Sequence, residues 1–313
     1  MKKILLLIIF AILCLAPVVF PDYWVLILTE ILIMGFFAMS FNLLLGWGGL
    51  LSFGHAAFFG VGSYTAALLI QHGVSSIGLL ILAGIFATVF ISAVVGFLSV
   101  RHDEIYFAMI TLAFGMMLFT IAHNWTSLTG GSDGLPIMNM PGIHFFGKEF
   151  SLFNPVVMYY LIFAVVCAGI FILYKIVNSP FGLLLKGMKE NKTRLSFSGG
   201  NISLIRLYAF VISATFSGVA GTLFALFSNM ATPDFLHWSF SAKPVIMSIL
   251  GGTGVFMGPM LGAGIFYILE QIIRQYTDNW MIFLGLVLIP IVLFFPEGIL
   301  GTVTKFFTKD RKK

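Results

Sequence analysis

Charge is what this sequence has least of. Asp, Glu, Lys and Arg make up 9% of its 313 residues, where an ordinary soluble domain carries about 25%. A soluble fold of this length cannot cover its polar surface with so few charges, whereas a lipid-facing surface needs none. Polar stretches are scarce too: the longest run over 124–151 and 178–203. Neither can build a second core, so residues 1–313 are expected to form a single transmembrane domain. There are two cysteines, Cys14 and Cys167, both inside apolar runs, which excludes a disulfide framework or a thiolate metal site. The sequence has no H-E-x-x-H pair and no G-x-S-x-G elbow, so no catalytic and no metal-ligating residue is expected. Gly142, Gly147 and Lys148 match the outline of a phosphate loop. Glu149, however, stands where Ser or Thr would bind magnesium, and no strand precedes the loop. This chain is therefore expected to bind no nucleotide or other cofactor of its own. An A-x-A-like cleavage site is missing after residues 1–21, and Leu13 is bulky for a lipoprotein site before Cys14, so the first apolar run is expected to be retained as a span.

What remains is hydrophobic, 59% of the chain. Apolar runs near the roughly 20 residues needed to cross a bilayer occur at about 4–20, 25–45, 50–70, 77–100, 105–123, 152–177, 206–228 and 280–296. Residues 243–273 are too long for one upright helix and too short for two, and Gly251, Gly252, Gly254, Gly258 and Pro259 interrupt them. A short helix at 243–251, a full one at 256–273 and the last span make the odd number of crossings that returns the basic tail to the side of the N-terminus. The fold class is thus an all-α integral membrane bundle of about nine or ten transmembrane helices, one of them broken or short. Discontinuous helices are tolerated where protein or water satisfies the unwound backbone.

The formal charge of +5 does not point to nucleic acid, because the basic residues sit at span ends. Lys2 and Lys3 precede the first run, Arg101 ends another, six Lys or Arg fall between Lys175 and Arg206, and Lys309, Arg311, Lys312 and Lys313 close the chain. Read as a topology signal, this puts both termini and the 178–203 segment in the cytoplasm and 124–151 on the other side. Small residues recur every fourth position in three rows: Ser52, Ala56, Gly60; Ser213, Ser217, Gly221; and Gly254, Gly258, Gly262. Such rows, with Gly54, suit close helix packing rather than ligand contact. The polar residues inside spans, Asn42, Ser52, His55, Ser63, Tyr64, Thr65 and Thr111, are the candidates for a substrate path, many of them also able to bond neighbouring helices. Glu30 and Glu270 are placed near span ends, within reach of headgroup water, so the spans are expected to lack buried charge pairs.

Six blocks carry a resemblance to a known family: GLLSFGHAAFFGVGSYTAALL from Gly49, YFAMITLAFG from Tyr106, LTGGSDGLP from Leu128, SPFG from Ser179, ILGGTGVFMGPMLGA from Ile249 and FPEGILG from Phe295. In this order they resemble the LivM family, permease subunits of ABC importers for branched-chain amino acids. The resemblance implies a multi-pass protein of the bacterial cytoplasmic membrane. Its expected partners are a LivH-like second permease, two ATPase subunits that hold the ATP and Mg, and an extracytoplasmic solute-binding protein. It also implies that a segment built from Ser179, Pro180, Phe181, Gly182, Leu184, Lys186, Met188, Lys189, Glu190 and Asn191 is a coupling helix that docks into an ATPase. Leu183, Leu184, Met188 and Phe181 offer it an apolar face; Lys186, Lys189, Glu190, Lys192 and Arg194 offer a polar one. Pro180 suits its first turn and Asn178 or Ser179 its cap. Where relatives carry Arg and Ala, Lys186, Gly187 and Met188 stand here, and Gly187 weakens the helix by up to about 1 kcal/mol relative to Ala. Relatives that carry urea, amides or other amino acids leave the ligand open, as does the alternative class of a self-sufficient carrier or channel.

Overall fold

The computed structural model describes residues 13–302 apart from 103, 146–147, 278 and 296, and no side chains at 143–150, 280, 281 and 292. The start of the first apolar run and the basic tail at 309–313 lie outside the described residues; 13–19 is helical. The helices then follow the apolar runs: α1 Asp22–Asn42, α2 His55–Gln71, α3 Ile77–Ser99, α4 Glu104–Asn124, the single turn α5 Thr126–Thr129, and α6 Pro155–Val177. After them come α7 Pro180–Glu190, α8 Lys192–Phe197, α9 Ile202–Ser228, α10 Trp238–Gly251, α11 Gly258–Arg274 and α12 Trp280–Phe294. Five of these are long and apolar enough to cross a membrane: α1 with its extension to Trp47, α3, α4, α6 and α9. Most of the other described residues are helical too, with the longest stretch of them without α-helix at 130–154. Two small antiparallel ribbons, Leu135–Pro136 (β1) with Met230–Ala231 (β4) and Gly142–Phe145 (β2) with Lys148–Ser151 (β3), are the only strands among the described residues. The second ribbon occupies the apparent phosphate-loop motif, with Gly142 and Lys148 in its two strands.

Helix ends carry local signals. Asn154, Asn191 and Asn201 each accept a backbone N–H in the first turn of α6, α8 and α9, at 2.9, 2.8 and 3.2 Å. Pro180 stands at the start of α7, but Ser179 does not cap it: its hydroxyl turns back and donates to the Ile176 carbonyl at 2.6 Å. Despite Gly187, α7 runs the full eleven residues. The end of α1 widens instead of stopping, with Leu43–Trp47 forming one π-helical turn.

At the centre, α9 packs on α1, α2 and α3, while α11 packs on α1 and α10. Backbones approach because glycine replaces side chains at the crossings. A Cβ on Gly62 would collide with the Gly218 carbonyl of α9, and one on Gly221 with the Phe59 carbonyl of α2. The broken helix closes in the same way: Cβ atoms on Gly251 and Gly262 would strike the Gly258 and Met247 carbonyls. Gly258 and Gly262 therefore belong to a packing seam, while Gly254 sits in the break with nothing within 4 Å of a Cβ. Phe37, Phe59, Phe224, Phe235 and Phe240 fill the middle, with ring centroids 4.8 Å apart for Phe37 and Phe59 and 5.1 Å for Phe59 and Phe240.

Alternating helices sort the connections onto two ends. One end gathers 43–54, 100–104, 178–201, 252–257 and 297–301, tied by Lys192 to Glu104 and by Arg206, which donates to the His102 carbonyl at 2.9 Å. The opposite end gathers 125–154 and 229–237, joined by the β1–β4 ribbon and the Phe119–His237 ring contact.

Candidate functional site

Two regions collect the polar residues singled out from the sequence. The first is the core between α1, α2 and α9. His55, the first residue of α2, is wholly buried; its Nε2 lies 3.1 Å from Ser213 Oγ, and its ring stacks on Phe37 at 6.1 Å. Ser213 also donates to the Ser40 carbonyl at 2.5 Å, so one α9 hydroxyl ties α1 and α2 together. Asn42, at the end of α1, donates to the Thr253 carbonyl in the helix break at 3.3 Å. Ser52, Ser63 and Tyr64 are buried, whereas Thr65 and Thr111 bond within their own helices, to the Val61 and Ala108 carbonyls. Five of the seven, Asn42 Oδ1, Ser52 Oγ, His55 Nδ1, Ser63 Oγ and Tyr64 Oη, present a buried polar atom with no hydrogen-bond partner among the described residues. Such atoms cost roughly 1–3 kcal/mol each for as long as they stay unpaired.

Sequence reasoning passed over the serines that complete this core. Ser241 accepts from the Ala56 N–H at 2.9 Å, joining α10 to α2, and Ser248 donates to the Ala38 carbonyl at 3.3 Å, joining α10 to α1. The recurrence of Ser241 and Ser248 seven residues apart, two helical turns, was the available signal.

A buried charge cluster is the larger surprise. Glu270 on α11 is 5% exposed and pairs with Arg274 at 2.7 Å; Lys243 on α10 lies within electrostatic reach of both Glu270 and Glu30 of α1, with Tyr267 beside Glu30. The expectation of spans without buried charge pairs does not hold here. The reason is the start of α10, which is helical from Trp238 rather than from 243, so that Lys243 lies more than one turn inside the helix. The carboxylates and cations balance, and this makes such a cluster tolerable in a membrane bundle.

The second region is the 178–203 segment. The helix α7 turns Gly182, Leu185 and Met188 into the bundle; Gly182 rides so close to α6 that a Cβ would strike the Val177 carbonyl. The apolar face proposed from sequence is thereby divided. Met188 is buried and Phe181 packs partly on the core, while Leu183 and Leu184 stay 68% and 39% exposed, and Phe197 on α8 88% exposed. Two lysines of the polar face, though exposed along their length, turn their ammonium groups onto the bundle. Lys189 donates to the Gly46 carbonyl at 2.7 Å, and the Lys186 ammonium lies 4.3 Å from the centre of the Trp47 ring. Glu190 is exposed and Asn191 serves as the cap of α8.

Residues 23–292 match the family described as branched-chain amino acid transport system, permease component. The chain is 28% identical over 288 residues to the high-affinity branched-chain amino acid transport system permease protein LivM of Salmonella typhimurium, covering 84% of this chain and 66% of that one. To LivH of the same organism it is 26% identical, over 84% of this chain and 90% of the relative. A probable LivM of Methanocaldococcus jannaschii is 26% identical over 72% of this chain and 65% of its own. The chain thus spans just under two thirds of the length of the LivM proteins it matches. No solved structure matches it. A match over most of the chain, joined to helices of membrane-crossing length and composition, identifies this as a multi-pass membrane protein that belongs to the permease-component family of branched-chain amino acid transport systems.

Proposed function

We propose that this chain is the non-catalytic membrane subunit of an ATP-driven importer for leucine, isoleucine and valine in a bacterial cytoplasmic membrane. In this reading a LivH-like permease completes the translocation unit, two ATPases dock on the end that carries α7, and a solute-binding protein delivers ligand to the end that carries 125–154. The observation that carries it is the divided face of α7. A helix lying outside the bundle is anchored by Gly182, Leu185 and Met188, yet keeps Leu183 and Leu184 turned outward. Exposed apolar residues on a rigid, well-anchored helix form a surface suited to a protein groove. The names of the relatives support the ligand class, and the basic residues around α7 support its cytoplasmic side.

The test is reconstitution in liposomes. The chain alone is expected neither to hydrolyse ATP nor to accumulate leucine, and both activities are expected once the second permease, the ATPases and the binding protein are present. Leucine accumulation by liposomes holding this chain alone would overturn the reading.

A further inference from the structure

We propose that Lys189 and the π-turn Leu43–Trp47 form a mechanical link that carries movement of α7 to the break between α10 and α11, with Lys189, Gly46 and Asn42 as positioning residues. The inference rests on the reading of α7 as the ATPase-docking helix and adds the route by which docking reaches the membrane core.

The link is continuous from residue to residue. The Gly46 carbonyl falls in the last turn of the α1 extension, where backbone acceptors have no intrahelical partner and the helix dipole is negative. An ammonium is the group such a terminus favours, and Lys189 supplies it at 2.7 Å. One turn earlier on α7, Lys186 grips the same turn through the face of Trp47. The lysine stem lies flat against Gly49, whose φ is +69° and where a Cβ would crowd Lys189 Cγ at 3.0 Å. From its other side the turn meets the helix break. A Cβ on Gly46 would collide with the Thr253 carbonyl, and the Asn42 amide donates to that same oxygen. The break is in turn pressed by Gly298, a Cβ on which would overlap the Gly252 backbone.

Gly46 is thus held between the α7 lysine and the break. Single π-turns inside α-helices are frequent at functional positions. Asn42 Oδ1, buried beside Gly46 without a partner, fits a turn with two arrangements, of which this is one.

The experiment uses the full importer with Cys14→Ser and Cys167→Ser as background and Gly254→Cys as reporter, a position that is exposed and has no atom within 4 Å of a Cβ. Four variants are compared: Lys189→Met, Lys189→Arg, Asn42→Leu, and the docking control Leu183→Asp with Leu184→Asp. The readouts are ATPase co-purification, leucine imported per ATP hydrolysed, and maleimide labelling of the reporter with and without ATP. Lys189→Met and Asn42→Leu are expected to keep the ATPase bound while import per ATP falls about tenfold, the loss of one charge-assisted or buried hydrogen bond. The ATP-dependent change in labelling should disappear, and Lys189→Arg should restore it. Asn42→Leu breaks the link from the membrane side, so it decides the matter should Lys189→Met fail to assemble. Wild-type import per ATP and wild-type labelling in an assembled Asn42→Leu or Lys189→Met complex overturn the link. A docking control that still binds ATPase overturns instead the reading of α7, and the link with it.

Discussion

Replacing Leu183 and Leu184 with Asp separates the surface of α7 that serves the chain's own fold from the surface left for a partner. A leucine side chain taken fully out of water contributes roughly 1.5–3 kcal/mol. Leu183 at 68% and Leu184 at 39% exposure hold between them about one whole side chain still open to burial. Docking over both therefore gains about 1.5–3 kcal/mol, or roughly 10- to 160-fold in affinity, and two buried carboxylates add a desolvation penalty on top. The double variant should insert and melt close to the wild type, because neither side chain is among the residues that α7 buries in the bundle. The ATPase dissociation constant should rise at least tenfold, and the ATP hydrolysis stimulated by the binding protein should fall with it. Leu185→Ala gives the opposite pattern. Leu185 is wholly buried, so its truncation should cost about 2–5 kcal/mol of folding stability and leave the affinity of the surviving complex unchanged. Titration of purified ATPase against the permease pair in nanodiscs, alongside thermal melts, measures both. An affinity within threefold of wild type for the double variant would refute the assignment of α7.

Gly262→Leu should prevent accumulation of folded protein, since even its Cβ would strike the Met247 carbonyl, whereas Gly285→Ala, with nothing within 4 Å, should be silent; detergent-extracted yield and melting temperature compare the two. Lys243→Met should destabilise the chain by about 1–3 kcal/mol, below the full cost of a broken buried pair because Lys243 keeps some access and Glu270 keeps Arg274, by removing the cation near Glu30; adding Glu30→Gln should recover part of the loss. In intact cells an impermeant maleimide should label Ser132→Cys and spare Glu190→Cys, both being exposed positions on opposite ends of the bundle; the reverse pattern would invert the topology.

Much of the fold was legible because lipid demands long, uninterrupted apolar helices, and their lengths show directly in the chain. The runs at 77–100 and 105–123 became α3 and α4 with ends at most one residue away. The interruption before Gly258 was legible for the opposite reason: a cluster of glycines followed by Pro259 cannot continue a helix. Its upstream end was not. Residues 238–242, Trp-Ser-Phe-Ser-Ala, carry too little hydrophobicity to read as a span; in the fold the His237 ring caps their first turn and Ser241 holds them to the α2 backbone. The π-turn left no trace either, since Leu43, Leu44 and Leu45 read as ordinary helix. In α7, three consecutive leucines cover most of the helix circumference, so the pattern could not tell the anchored Leu185 from the exposed Leu183 and Leu184. The partners of His55 and Asn42 lie more than 150 residues away in the chain, at Ser213 and Thr253, a separation that no local spacing encodes.

The seam between α10 and α11 bears on how the protein can move. Side chains pushed by a neighbour can change rotamer, so a contact made through them keeps some play. Where Gly262 meets Met247, Gly251 meets Gly258 and Gly298 meets Gly252, main chain rests on main chain with no rotamer in between. Displacement there has nowhere to dissipate. These segments are bound to shift as one stiff lever, and any motion between open states must be taken up at its edges, where α10 and α11 meet α1 through larger, softer residues such as Met260 against Gly35.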